Sequence, residues 1–147
     1  VRVELESSAS NWETVPLILT TGKALDRKET EITVYFRRGH AEQSNSLRFR
    51  IQPDEGIEII LFTKKPGYER IIEPQKLSYS YPEDADLPEA YEQVLVDALT
   101  SRKTIFTSSD EIIESWRILQ PILDAWAFDD TSITVYDQGA SAEDIVQ

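Results

Sequence analysis

The stretch "SLRFRIQPDEGIEIILF", Ser46 to Phe62, carries the clearest fold signal in the chain. Leu47, Phe49 and Ile51 alternate with Arg48 and Arg50. One side of an extended segment is therefore apolar and the other charged, the period-two signature of a half-buried strand. "PDEG" breaks the pattern with residues that favour a turn, which makes Asp54 and Glu55 turn residues before it makes them an acid–base pair. "GIEIILF" then resumes with the β-branched and aromatic side chains that strands prefer. Two strands joined by so short a link run antiparallel, because a parallel return needs a crossover of about a dozen residues or more.

Working outward, four more stretches read as strands: "VRVELE" with Val1, Val3 and Leu5 on one face, "VPLILT", "TEITVYF" and "ERIIEPQKLSYSY". Six strands with short breaks in about the first 80 residues predict an antiparallel sheet rather than βαβ units. A sheet with an apolar face needs a cover, and two helical patterns follow. From Pro88 to Thr100, Ala90, Tyr91, Val94, Leu95, Ala98 and Leu99 recur on one helical face, with Pro88 suited to a first turn. The second begins at "SSDE", where Ser108 can cap while Glu111 reaches back, and continues through Ile112, Trp116, Leu119, Leu123 and Trp126. Pro121 lies inside that pattern and predicts a kink or a break. The tail from Asp129 to Gln147 reads as irregular. The expected architecture is one α+β domain over 1–147, a large, mainly antiparallel β-sheet with helices packed on one face.

The 147 residues contain 40% apolar and 29% charged side chains, the composition of an ordinary globular domain. The net charge of −12 is unevenly placed: residues 1 to 81 hold 12 acidic and 12 basic side chains, and residues 82 to 147 hold 15 and 3. Such a field disfavours nucleic acid, and an anionic ligand should prefer the neutral first part. No apolar run approaches the roughly 20 residues a membrane helix needs, so no membrane partner is expected and the protein is read as soluble; a cytoplasmic location is a separate expectation. Cysteine is absent, which excludes disulfides and thiolate chemistry. Methionine is absent too, and a chain that opens on Val1 inside a strand pattern is expected to be a piece of something longer.

Several chemistries lack their residues. The five glycines, Gly22, Gly39, Gly56, Gly67 and Gly139, form no GxGxxG or phosphate loop. His40, the single histidine, stands in the polar stretch "RRGHAEQ" without a histidine or cysteine partner, so no metal site is expected. Arg37 and Arg38 could bind an anion, but a charge pair at a strand end also serves as a soluble edge.

"TGKALDRKET", Thr21 to Thr30, remains. In one reading it is a hairpin-like connection whose lysines face water. In the other, Gly22 lets backbone approach a ligand, and Lys23 and Lys28 clamp a phosphomonoester, each charge-assisted hydrogen bond contributing roughly 1.5 to 3 kcal/mol. Charge reasoning alone leaves both open.

A resemblance bears on the choice. "NWETVPLILTTGKAL" resembles the segment of glucose-6-phosphate dehydrogenases that reads N-W-x-x-V-P-[FL]-x-[LI]-R-[TA]-G-K-x-[LM], and "NSLRFRIQPDEGIEI" is similar to that family's N-x-L-x-[IV]-R-[IV]-Q-P-[DN]-E motif. "KKPG", "LPEAYEQVLVDAL", "FTSSDEIIESWRILQPILDAW" and "YDQG" follow in family order, so the resemblance covers nearly the whole chain. It implies the α+β domain that follows an N-terminal dinucleotide-binding domain and forms the dimer interface through its sheet. It implies that Lys23, matching the family's GK lysine, and Lys28, five positions on, contact glucose 6-phosphate. The expected partners are that substrate and a second copy of the chain. NADP (or NAD) would be bound mainly by the absent domain, which also holds the family's catalytic histidine. His40 does not match that histidine, and no catalytic or cofactor-binding residue is expected here. The fragment alone is expected to be inactive.

Departures from the pattern matter. Thr20 stands where the family commonly has arginine before T-G-K. Some members hold a structural NADP on this domain, and Arg50, Gln52, Lys64 and Lys65 occupy matching motifs. Glu29 and Thr33, however, replace residues that are basic in those members, and an acid where a phosphate needs a cation argues against that site. Structural NADP is therefore not expected. The alternative function is a self-standing, non-catalytic binding or interaction module derived from the same domain.

Overall fold

The computed structural model describes residues 1–37, 43–82, 84–85, 90–128 and 135–145. His40, Arg38 and Pro88 lie outside the described residues. The chain divides into two compact units, Val1–Ala85 with Gln138–Gln147, and Asp86–Asp137.

Among the described residues the first unit contains six strands: β1 (Arg2–Leu5), β2 (Leu17–Thr20), β3 (Thr30–Tyr35), β4 (Ser46–Gln52), β5 (Gly56–Lys64) and β6 (Ile72–Ser80). Each coincides with a stretch that reads as a strand, β4 running one residue and β5 two residues past it, and every pairing among the described residues is antiparallel. They do not form one sheet among the described residues. β1 and β2 pair with each other, and β3-β4-β5-β6 form a separate four-stranded sheet in sequence order. Periodicity says which residues share a face and is silent on which strand lies beside which.

The larger sheet follows the alternation of its sequence. Thr33, Arg48, Glu58 and Ser78 stand in one row across the four strands, and Glu31, Arg50, Gly56 and Ser80 in another. The opposite face carries Ile32, Phe49, Ile57 and Tyr79, then Val34, Leu47, Ile59 and Leu77. Its edge residues remain open, Ile32 at 58% and Leu77 at 54% exposure. Burial is deepest on the central strands, at Ser46 and Gly56. Asp54 and Glu55 sit in the β4–β5 turn, as their composition predicts. Gly56 closes that turn because nothing larger fits: a Cβ there would strike the Tyr79 carbonyl oxygen and lie 2.6 Å from the Arg50 guanidinium.

The second unit contains α1 (Ala90–Leu99) and α2 (Ser109–Phe128). The Ser108 N–H donates to Glu111 Oε2 at 2.7 Å and the Glu111 N–H to Ser108 Oγ at 3.2 Å, a reciprocal cap that fixes the start of α2. The hydrogen bond from the Ser108 backbone holds the Glu111 carboxyl below its usual range. Of the kink or break expected at Pro121, the break is absent, and α2 runs through it. A proline removes one intrahelical donor, here the one that would meet the Arg117 carbonyl, while strong helical patterning on both sides continues the helix. The tail is not wholly irregular: α3 (Ala142–Ile145) is capped by Ser141, whose Oγ accepts the Glu143 N–H at 3.3 Å. The class is α+β with antiparallel sheets, and no helix among the described residues is long and apolar enough to cross a membrane.

Candidate functional site

The lysine turn starts where the β1–β2 ladder ends. Arg2 faces Thr20 in register, and one step further the Thr21 N–H donates to the Val1 carbonyl at 2.9 Å. The next residues turn the chain toward β3. The hairpin reading fails here, since β2 pairs with β1 and β3 with β4, leaving Thr21–Glu29 as a link between two sheets.

The turn's geometry comes from Ala24, not from Gly22. Ala24 has φ of 53°, left-handed backbone that costs a residue with a Cβ about 1–2 kcal/mol, whereas Gly22 lies outside that region. The space beside Gly22 is used within the chain: a Cβ there would lie 2.9 Å from Leu25 Cδ1. The missing side chain admits the turn's own leucine. What holds Ala24 in place is the tail. The Gly139 N–H donates to the Ala24 carbonyl at 2.8 Å, and the Asp26 N–H to the Ala140 carbonyl at 3.1 Å.

Lys23 and Lys28 are both exposed. Between them Arg27 is occupied with acids, its Nε 3.7 Å from Asp26 and 3.4 Å from Glu29. Arg37 serves structure as well, donating to Thr14 Oγ1 at 2.9 Å.

The polar face of the larger sheet carries Arg48, Arg50, Lys64 and Lys76, and acids offset part of that charge. Arg48 Nε lies 3.6 Å from Glu31, Lys76 pairs with Glu58, and Arg50 donates to Ser80 Oγ at 2.6 Å. The Lys76 hydrogen bond, aided by the fields of Arg48 and Arg50, holds the Glu58 carboxyl below its usual range. Lys64 Nζ donates to the Lys65 and Gly67 carbonyls at 3.1 and 2.5 Å. An incoming phosphate would meet Glu31 and Glu58 among these cations.

Residues 1–145 match the family described as glucose-6-phosphate dehydrogenase, C-terminal domain. The chain is 33% identical over 141 residues to the glucose-6-phosphate 1-dehydrogenase of Chlamydia muridarum, spanning 86% of this chain and 28% of that protein. It is 40% identical over 139 residues to the enzyme of the same name from Borreliella burgdorferi, spanning 88% and 29%. Its fold is similar to a solved glucose-6-phosphate dehydrogenase in complex with its substrate glucose-6-phosphate, with a TM-score of 0.83, 29% identity, and coverage of 95% and 31%. A Mycobacterium avium glucose-6-phosphate 1-dehydrogenase gives a TM-score of 0.75 at 27% identity, covering 99% and 33%. The chain thus spans about a third or less of the length of these relatives.

Proposed function

The chain belongs to the family of glucose-6-phosphate dehydrogenase C-terminal domains, and on that premise we propose that it is the substrate-side part of a cytoplasmic enzyme oxidising glucose 6-phosphate to 6-phosphoglucono-1,5-lactone. The observation that carries this reading is the family match over residues 1–145, supported by the likeness to a dehydrogenase described with that substrate. In this reaction the sugar C1 hydrogen leaves as hydride while the C1 hydroxyl loses a proton to a base. The nicotinamide, NADP or NAD, accepts the hydride when bound by the rest of the protein.

This chain's own residues bind and orient. Lys23 and Lys28 present ammonium groups to the phosphate of the sugar, far from C1. Their attraction persists from ground state to transition state, so its loss shows mainly in KM. In the full-length protein, Lys23→Ala is expected to raise the KM for glucose 6-phosphate roughly 10- to 100-fold, the effect of losing one charge-assisted bond. The KM for the nicotinamide should stay within about twofold. Equal effects on both constants defeat the reading.

Two finer points belong to the same proposal. The mixed charges of the polar sheet face support binding of one nicotinamide nucleotide per subunit, without a second, structural one; a titration that saturates at two overturns this. The open apolar face of the larger sheet, including Ile32, Val34, Leu77 and Tyr79, supports a homodimer through the sheet. Sedimentation of the full-length protein should give a dimer, and a monomer refutes that assembly. The 147-residue chain alone should show no dehydrogenase activity.

A further inference from the structure

Both flanks of Lys23 are fixed by backbone from elsewhere in the chain. On one side Thr21 is bonded to Val1, which precedes β1, and on the other Ala24 and Asp26 are bonded to Gly139 and Ala140. The tail bonds have a definite geometry. Gly139 has φ of 88°, and a Cβ on it would meet nothing within 4 Å, so glycine is required there for conformation and not for room. That conformation aims the Gly139 N–H at the carbonyl of Ala24, itself in left-handed backbone. Directly after the contact, Ser141 caps α3, accepting at its Oγ from Glu143 and at its carbonyl from Asp144 and Ile145. The segment therefore runs directly into a capped helical turn. Ala140, Ser141 and Ala142 are half-buried, whereas residues 135–139 are exposed.

We propose that Gln138–Ala140 is a positioning segment for the substrate site, holding Ala24–Asp26 so that Lys23 meets the phosphate of the sugar in a pre-set orientation. This rests on the reading of Lys23 as a phosphate contact. A flexible lysine on an unbraced turn must lose freedom on binding, whereas a braced turn has lost it already. Lys28 lies beyond the Asp26–Ala140 bond, so the brace acts through Lys23 more than through Lys28.

The test uses steady-state kinetics and thermal melting of the full-length protein. Gly139→Pro removes the N–H and forbids the positive φ; Gly139→Asn keeps the N–H and tolerates left-handed backbone. Gly139→Pro is expected to raise the KM for glucose 6-phosphate about tenfold and leave the nicotinamide KM within about twofold, with Gly139→Asn recovering most of the loss. In a Lys23→Ala background the same proline should add less than about twofold, while in a Lys28→Ala background its full factor should persist. If Gly139→Pro does not fold, Gly139→Ala replaces it, with an expected rise of about threefold that again vanishes without Lys23. An equal factor with and without Lys23, or a fall in melting temperature and kcat with KM unmoved, overturns the brace. Should Lys23→Ala raise the KM while no Gly139 variant does, the brace alone falls. A Lys23→Ala that leaves the KM unchanged removes both the brace and the reading beneath it.

Discussion

The connection from β4 to β5 runs from Pro53 to Glu55, and the connection from β2 to β3 runs from Thr21 to Glu29. Both contain charged residues; the first is followed by Gly56 and the second contains Gly22. The first is self-contained: its ends are neighbours in one antiparallel pair, Arg50 facing Gly56, and the hairpin's own ladder holds it. The second joins strands that never pair, and its shape is held by backbone groups of the tail. A short link inherits its geometry from the strands it joins, while a longer link between separate sheets needs a distant partner for its peptide groups.

The same substitution at the two glycines tests that difference most directly. Gly56→Ala drives a methyl against the Tyr79 carbonyl oxygen and the Arg50 side chain, and backbone paired on both sides cannot retreat. It should destabilise the full-length protein by about 3 kcal/mol, read as a lowered melting temperature and denaturation midpoint. Wild-type stability in that variant would show that β6 can shift after all. Gly22→Ala meets only the end of Leu25, a flexible side chain that can rotate away. We expect a loss of about 1 kcal/mol or less, visible more in the KM for glucose 6-phosphate than in melting. A stability loss as large as that at Gly56 would mean the turn is as rigid as the hairpin.

Ala24→Gly sharpens the comparison further. Glycine adopts φ of 53° without the left-handed penalty of about 1–2 kcal/mol, but it also loosens the unfolded chain by about 0.4–1 kcal/mol. The two effects nearly offset, so melting should move little while the tail bonds keep the KM unchanged. The smallest expected effect is electrostatic and belongs to the hairpin's sheet. Glu58 has its carboxyl pKa depressed below 4.5 in the fold, chiefly by Lys76. Its contribution is present above about pH 4.5 and is lost as pH falls through the depressed folded value. Glu58→Gln should therefore narrow the gap between the stability at pH 7 and that below pH 4, and an unchanged gap would detach the pair from acid sensitivity.

The unequal legibility of the two connections follows from what side chains report. Alternation in "SLRFRI" and "GIEIILF" marks strands and faces because burial acts on side chains, and the Ser108–Glu111 cap is readable because each of its bonds is accepted by a side chain of characteristic type, three residues apart. Lys23 and Lys28 stand out by charge and by resemblance to family motifs. The grip of the tail on Ala24 and Asp26 leaves almost no trace, since every residue except proline offers the same N–H and C=O. Gly139 is its one visible mark, and in the sequence it is merely a glycine in "YDQG". Gly22 shows the opposite error: it looks like the permissive residue of the turn, yet the unusual backbone belongs to Ala24.

The order of six strands and two principal helices, the amphipathic faces, the β4–β5 turn, the cap of α2 and the candidate lysines are written in the amino-acid sequence, because local periodicity and local chemistry suffice for them. Partition into a two-stranded and a four-stranded sheet, the continuation of α2 through Pro121, and the bracing of the lysine turn were decided by tertiary structure. Those features depend on which peptide groups meet across long separations, and the peptide group carries no residue identity.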